Sequence, residues 1–169
     1  FKGVVDLEKT NLAPRSNKLF TLSALYSATE AFLLNSIDLE ASEQIDLAST
    51  FWTNVSDALP EWGLVRRSKL TAAEVRADFI FTQAIGLEAI GHAGAALLSA
   101  EPRAWKNHLF KIGELDWRRS NEIWEGTALV NGRASKARQN ILLTTIVVKE
   151  HLGLPVTKEQ NFVFGDRNA

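Results

Sequence analysis

The chain has 169 residues, a length typical of one domain, and its hydrophobic fraction of 46% and charged fraction of 23% are those of ordinary globular proteins. Its formal net charge of −1 excludes a uniformly basic nucleic-acid-binding surface but allows a local basic patch. Because cysteine is absent, disulfide frameworks and thiolate metal sites are excluded, and we expect a cytoplasmic protein.

Residues 1–15 precede the first helical pattern. They begin with the apolar-rich piece FKGVVDL, and Pro14 punctuates their end. The chain starts at Phe1 and contains no methionine, so it is either a fragment of a longer protein or a sequence from which residues are missing, and we favour the fragment. Residues 1–15 are then interpreted as a connector from a missing N-terminal domain, with a short strand as the alternative.

Two amphipathic helices are predicted next. Apolar residues recur at helical spacing over residues 16–35, with Ser16 as the candidate N-cap. The apolar residues of the second helix are spaced by three and four positions. They are Ile45, Ala48, Trp52, Val55 and Leu59. We expect Pro60 to end this helix and residues 61–70 to form a loop.

Residues 71–98 predict one long helix at the centre of the fold. Thr71 and Glu74 form a capping-box pattern at its start. After Asp78 its only charged residue is Glu88, and a helix that is apolar on nearly all sides is buried. Because polar residues interrupt the run, it falls short of the ~18 apolar residues that a membrane span needs, and we expect no membrane contact.

The remaining pattern alternates short elements with one strong helix. Residues 102–113 predict a helix, and residues 115–126 predict a turn with a short helix. Asn131-Gly132 is a turn signal, and a last helix is expected over residues 135–152. Its β-branched run at residues 144–148 also suits a strand, but the flanking residues favour a helix.

These elements predict a mainly α protein, a single domain of five to seven helices around the buried helix near residues 71–98. No nucleophile elbow, phosphate-binding loop or dinucleotide fingerprint occurs, so we predict no catalytic constellation and no cofactor. His92, His108 and His151 lack both cysteine companions and the spacing of a metal-binding histidine pair. We therefore do not expect a metal site.

Two polar residues lie inside the predicted central helix. Glu88 must be paired, protonated or directed into a cavity, because a carboxylate is costly in apolar surroundings. We favour a structural role, either an ion pair, for which a basic residue from another helix could serve as partner, or a position at the edge of the core. A functional acid is the alternative. We interpret His92 as a core histidine rather than a catalytic base. A third possibility, an enzyme using Glu88 or His92, would need both residues in one polar cavity with a perturbed pKa.

Positive charge is concentrated in the later part of the chain. Residues 1–62 carry four Lys/Arg against nine Asp/Glu, whereas residues 63–140 carry twelve against eight. The candidate nucleic-acid-binding residues are the clustered basic ones: Arg66, Arg67, Lys69, Arg118, Arg119, Arg133, Lys136 and Arg138. Basic loops beside tryptophans can hold a phosphate backbone. From residues alone we favour the alternative, a solvated surface over packed tryptophans.

Three segments resemble a known family. They occur in order within residues 4–154 and read VDLEKTNLAPRSNKLFTLSALYSAT, EVRADFIFTQAIGLEAIGHAGAALL and WRRSNEIWEGTALVNGRASKARQNILLTTIVVKEHLGL. They resemble the later portion of DndB, a family of DNA sulfur modification (phosphorothioation) proteins with a domain named for an Asp-Gly-Gln-His-Arg (DGQHR) motif. That motif is absent from these 169 residues, so the resemblance assigns no catalytic residue here.

The resemblance implies a bacterial DNA-binding repressor that regulates the gene cluster placing sulfur on the DNA backbone. DNA is then the expected partner, through the eight basic residues. The alternative is a module that docks the rest of its own chain or forms a homo-oligomer, without DNA contact of its own.

Overall fold

The computed structural model describes residue 1 and residues 3–156. The described residues form seven α-helices, confirming the mainly α prediction: α1 (Leu22–Leu33), α2 (Ala41–Ala58), α3 (Pro60–Arg66), α4 (Ala72–Asp78), α5 (Ala84–Ala100), α6 (Trp105–His108) and α7 (Arg138–His151). Short 3₁₀ segments cover Ile80–Thr82, Leu109–Glu114 and Glu122–Trp124. The predicted domain over residues 1–169 also includes residues 2 and 157–169, which lie outside the described part. Within that part, no helix is long and apolar enough to cross a lipid bilayer.

Two small sheets accompany the helices. Strand β1 (Val5–Asp6) pairs in parallel with β2 (Phe20–Thr21). Strand β3 (Leu129–Val130) pairs antiparallel with β4 (Arg133–Ala134). The strand alternative for residues 1–15 is therefore correct at β1.

Helix α5 is the buried centre of the fold, with α1 and α7 packed against it. A β-carbon at Gly91 would lie only 2.2 Å from the backbone oxygen of Ala28, which shows how closely the two backbones approach. Asn35 donates to Ser99 at 3.3 Å, just beyond the end of α1. From the first contact to the second, the residue number rises both in α1 and just after it (28 to 35) and in α5 (91 to 99). The two helices therefore run in the same direction.

The predicted continuous helix over residues 71–98 is wrong. Its capping box is correct, because the Thr71 hydroxyl accepts from the Glu74 amide at 3.2 Å and begins α4. Helix α4 ends at Asp78, however, and the Phe79 backbone is extended with φ −124° and ψ 141°.

The break arises from pairing with a distant segment. Phe79 forms an antiparallel bridge with Arg118. The Ile80 amide donates to the Trp117 carbonyl at 2.9 Å, so that amide has no helical partner. The chain then makes a 3₁₀ turn and α5 begins. Hydrophobic periodicity cannot reveal this break, because the competing partner lies about 40 residues away along the sequence.

Several predicted boundaries also shift. The helix expected from Ser16 begins at Leu22, because Thr21 is the N-cap, accepting from the Ala24 amide at 3.2 Å. Residues 61–70 are not a continuous loop, since Pro60 is the first residue of α3, a position that its fixed φ favours.

The later helices also differ from their predicted limits. The helix predicted over residues 102–113 begins at Trp105 and continues as 3₁₀. Helix α7 starts at Arg138 rather than Ser135, with Ala137 as its N-cap. The helical interpretation of residues 144–148 is confirmed.

An aromatic network fills the core. Phe32 stacks on Phe51 with ring centroids 3.9 Å apart, and Trp117 stacks on Trp124 at 5.1 Å. All five tryptophans are buried: Trp52, Trp62, Trp105, Trp117 and Trp124. Their predicted role in packing is confirmed, and their burial fixes the loops that carry the candidate basic residues.

Candidate nucleic-acid interface

The strands β3 and β4 form a hairpin whose turn is exposed. Its two turn residues have positive φ, 51° at Asn131 and 70° at Gly132, as a type I′ turn requires. Val130 pairs with Arg133 across the hairpin. The turn predicted from Asn131-Gly132 is thereby confirmed.

The tip of this hairpin is braced from two directions. The Glu125 carboxylate accepts from the Asn131 amide at 2.6 Å and from the Gly132 amide at 3.1 Å. From the other direction, Arg119 Nη2 donates to the Gly132 carbonyl at 2.8 Å. These bonds restrict the tip and place Arg119 beside the hairpin, although far from it in sequence.

Arg118, in contrast, is held by its own neighbour. Its guanidinium donates to both carboxylate oxygens of Asp116, at 2.9 and 2.7 Å. Hydrogen bonding from Arg118 lowers the pKa of Asp116 to about 2, and the same pair raises the pKa of Arg118. The Arg118 side chain remains 65% exposed, so the ion pair stays accessible to solvent.

Three further basic residues follow the turn. Arg133, Lys136 and Arg138 are all exposed, and residues 133–138 contain no acid. They lead into α7, whose N-cap Ala137 supplies no side-chain cap and whose first turn carries no acidic residue. An uncapped helix N-terminus favours anions, which adds to the three positive charges. We call Arg133, Lys136 and Arg138 the hairpin surface.

The basic residues around the end of α3 form a separate group. Arg66, Arg67 and Lys69 are exposed. Arg66 lines a cleft of about 260 Å³ together with Trp52 and Asp57 of α2. Lys136 and Arg138 of the hairpin surface line different cavities.

The tryptophans near these basic residues cannot stack on bases. Trp117 donates its indole N–H to the Ile112 carbonyl at 2.7 Å, and Trp124 donates to the Asp116 carbonyl at 3.0 Å. Both rings are buried, as is Trp62. Any nucleic-acid contact at these loops therefore depends on charge and backbone geometry.

A second candidate site lies between α5 and α7. This cavity of about 690 Å³, here called the α5–α7 cavity, is lined by Leu34, Asn35, Glu88, His92, Ala95, Ala96, Arg138, Gln139, Ile141, Leu142, Thr145 and Lys149. It contains both polar residues singled out within the central helix. Hydrophobic spacing alone did not indicate that they share one cavity.

The ionisable side chain within reach of Glu88 is on its own helix, and not on another helix as the sequence suggested. His92 Nε2 lies 4.0 Å from Glu88 Oε1, one helical turn away. Burial lowers the pKa of His92, while the negative charge of Glu88 opposes that effect. Because the His92 side chain is 35% exposed, it is half-buried rather than a core residue.

Lys149 is the residue that sequence reasoning missed. Only 9% of it is exposed, and burial lowers its pKa. A signal existed, since Arg138, Leu142, Thr145 and Lys149 recur at helical spacing and share one face of α7. Within the described part of the chain, this cavity included, no group of three or more acidic or histidine side chains is arranged to hold a metal ion.

Comparison with known proteins identifies the family. The family model DndB, described as DNA-sulfur modification-associated, matches residues 1–155, most of the chain. No curated protein and no solved structure matches the chain. The match covers all three segments on which the resemblance rested. The chain therefore belongs to the DndB family of DNA-sulfur modification-associated proteins.

Proposed function

We propose that this chain contributes DNA contacts to a DNA-binding transcriptional regulator of the phosphorothioation gene cluster, acting in the bacterial cytoplasm. The observation that carries the proposal is the hairpin surface. It presents three exposed cations, with no intervening acid, between a braced turn and an uncapped helix start. Family membership supplies the biological context, because the family description refers to DNA sulfur modification.

The hairpin geometry suits a DNA groove. The major groove of B-DNA admits a two-stranded β-ribbon, and the braced tip would enter without losing much conformational freedom. Lys136 and Arg138 would then contact the flanking phosphates, with Arg133 at the groove edge. Such contacts fix orientation and supply the salt-dependent part of the affinity.

The other candidate residues take different roles in this proposal. Arg119 positions the turn through Gly132, and Arg118 reaches phosphate by exchanging its Asp116 partner for the anion. Arg66, Arg67 and Lys69 form a second phosphate-contacting group at the end of α3.

Fluorescence anisotropy of a labelled duplex tests this role. We expect the triple variant Arg133→Ala, Lys136→Ala, Arg138→Ala to lose at least about tenfold in affinity, because three phosphate contacts are removed. The matched control removes three exposed cations elsewhere: Lys9→Ala, Arg15→Ala and Arg103→Ala. Equal losses in both variants, or none in the first, would contradict the proposed surface.

The regulatory part requires preference for a particular site. We expect a duplex from the promoter of the modification gene cluster to compete for the protein at lower concentration than a scrambled duplex of equal length. Equal competition by the two duplexes at physiological salt would mean that the protein binds DNA without sequence preference, and would contradict the regulatory role.

A second candidate function rests on exposed apolar residues around the α1–α2 connection. Ile37 is 74% exposed, Ile45 is 68% exposed and Leu34 is 59% exposed. Exposed apolar groups of this kind can mark a protein-binding surface. We propose homo-oligomerisation, or docking of the rest of its own chain, as the alternative role. Sedimentation velocity would show a concentration-dependent dimer that Ile37→Ser with Ile45→Ser abolishes; a monomer at all concentrations would exclude self-association.

A further inference from the structure

The α5–α7 cavity has the size and lining of a small-ligand site. Its volume of about 690 Å³ lies within the ~300–1,000 Å³ typical of ligand pockets. One wall is the α7 face that carries Arg138, Leu142 and Lys149. The opposite wall is the face of α5 with Glu88 and His92, where small alanine side chains leave room.

The distribution of charge restricts what could fill this space. Arg138 and Lys149 are eleven residues apart on α7, which places them at opposite ends, ~16 Å apart along the helix axis. Arg138 is exposed at the mouth, whereas Lys149 is buried and already interacts within the protein. The accessible cation for an incoming anion is therefore Arg138.

The middle of the cavity combines apolar and hydrogen-bonding groups. Leu142, Ile141 and the alanines of α5 supply apolar contact, while Glu88 offers an acceptor and Asn35 an amide. A purely apolar ligand would remove solvent from the partly exposed Glu88 carboxylate and leave it only the His92 imidazole, at 4.0 Å, which is costly. A fatty-acid-like anion would meet the same problem, because its chain carries no donor for Glu88.

We propose that the α5–α7 cavity binds a nucleotide. Its phosphate pairs with Arg138, its base lies between Leu142 and the Ala95–Ala96 surface, and the N–H groups on the edge of the base donate to Glu88. The nucleotide could be free or a single unit of a strand, since both present a phosphate attached to a flat, hydrogen-bonding ring.

Occupancy of this cavity would oppose duplex binding. Arg138 belongs both to the hairpin surface and to the cavity lining, so one guanidinium cannot serve both ligands fully. This consequence, unlike nucleotide binding itself, rests on the proposed DNA-binding function. By linkage, the nucleotide would weaken duplex binding by the same factor by which duplex weakens nucleotide binding.

Isothermal titration of the 169-residue chain tests the site directly, without duplex DNA. The probes are dAMP and dCMP, with inorganic phosphate and deoxyadenosine as fragments, and a single-stranded dA hexamer. We expect a mononucleotide to bind at least about tenfold more tightly than either fragment, because phosphate and base contacts both contribute. Binding of the hexamer with no free nucleotide bound would assign the site to a strand.

Two variants separate the site from adventitious binding. Ala96→Phe fills the cavity, and Arg138→Ala removes the anchoring cation from an exposed position where folding is little affected. Each should weaken the probe that binds by at least about tenfold, while Arg103→Ala should leave it unchanged. Thermal unfolding of each variant verifies its folding.

The proposal is overturned if neither mononucleotides nor the hexamer bind at millimolar concentration. It is equally overturned if binding survives both Ala96→Phe and Arg138→Ala. Because no duplex is present, such a failure leaves the DNA-binding proposal intact. Conversely, undiminished duplex binding by the triple hairpin variant would overturn the proposed DNA surface, and the titration without duplex would still decide the cavity.

Discussion

At the scale of single residues, close approach between two helix backbones depends on glycine. Gly91 lets α5 approach α1 so closely that any β-carbon would meet the Ala28 carbonyl at 2.2 Å. Gly63 in α3 differs, because its added β-carbon would meet only the movable guanidinium of Arg67, at 3.1 Å. The two glycines therefore form a matched pair in which the same substitution has opposite consequences.

We predict that Gly91→Ala destabilises the protein by about 1–3 kcal/mol, because α1 must move away from α5. Gly63→Ala should be neutral, or stabilise by up to about 1 kcal/mol through helix propensity. Urea denaturation measures both. A Gly91→Ala variant as stable as the parent would show that the helices are not in such close contact.

The pH dependence of stability should carry a contribution from His92. Burial lowers the pKa of this imidazole from its ordinary value of 6.5, so the folded state prefers the neutral form. The unfolded state then binds more protons near pH 6, and stability rises with pH in that region. The stability that the neutral His92 imidazole contributes is fully present above pH 6.5, the ordinary pKa. It is lost as pH falls through the lowered pKa of the folded state.

We therefore predict that His92→Gln flattens the decline in unfolding free energy between about pH 7 and pH 5. Because the His92 side chain is 35% exposed, its share should stay below the ~1.4 kcal/mol that one full pKa unit represents. The other ionisable residues that line the cavity with His92, and whose charges act on it, are Glu88, Arg138 and Lys149. An unchanged or steeper decline in the variant would contradict this account.

At the scale of elements, the hairpin tip is held by a carboxylate rather than by apolar packing. Glu125 accepts from both turn amides, so Glu125→Ala should release the tip without unfolding the helices. We expect amide exchange at Asn131 and Gly132 to accelerate by at least about tenfold, the factor that corresponds to ~1.4 kcal/mol. Exchange within α5 should not change.

The matched control is Glu122→Ala, which removes an exposed acid three residues before Glu125, the residue to which both turn amides donate. It should leave exchange at the tip as in the parent. If both variants, or neither, accelerate exchange, the tip is not organised by Glu125 and its rigidity cannot support the DNA-binding proposal.

Elements whose determinants are local could be predicted from sequence. The Asn131-Gly132 turn, the capping box at Thr71 and the helical nature of α7 follow from neighbouring residues alone. The break at Phe79 could not be predicted, because it depends on backbone bonds to residues 117–119. Likewise, the eight basic residues were visible as clusters in the sequence. Only the folded chain shows which of them is ion-paired, which one holds the turn and which ones remain exposed.

At the scale of the whole molecule, a net charge of −1 coexists with a local cationic surface. The two are compatible because folding pairs some charged groups within the protein and leaves others exposed. Asp116 is paired with Arg118, and Glu125 is bonded to the turn amides, whereas Arg133 and Lys136 remain exposed. The family match places this surface in a protein associated with DNA sulfur modification. The central claim is that the surface contacts DNA phosphates.

The most direct test is the salt dependence of duplex binding. For B-DNA, the slope of log affinity against log salt is about −0.9 per phosphate contact. The account predicts that the triple variant Arg133→Ala, Lys136→Ala, Arg138→Ala has a slope shallower than the parent by about 2–3, corresponding to its three contacts. Parallel slopes for the two proteins, or no binding by the parent at low salt, would contradict it.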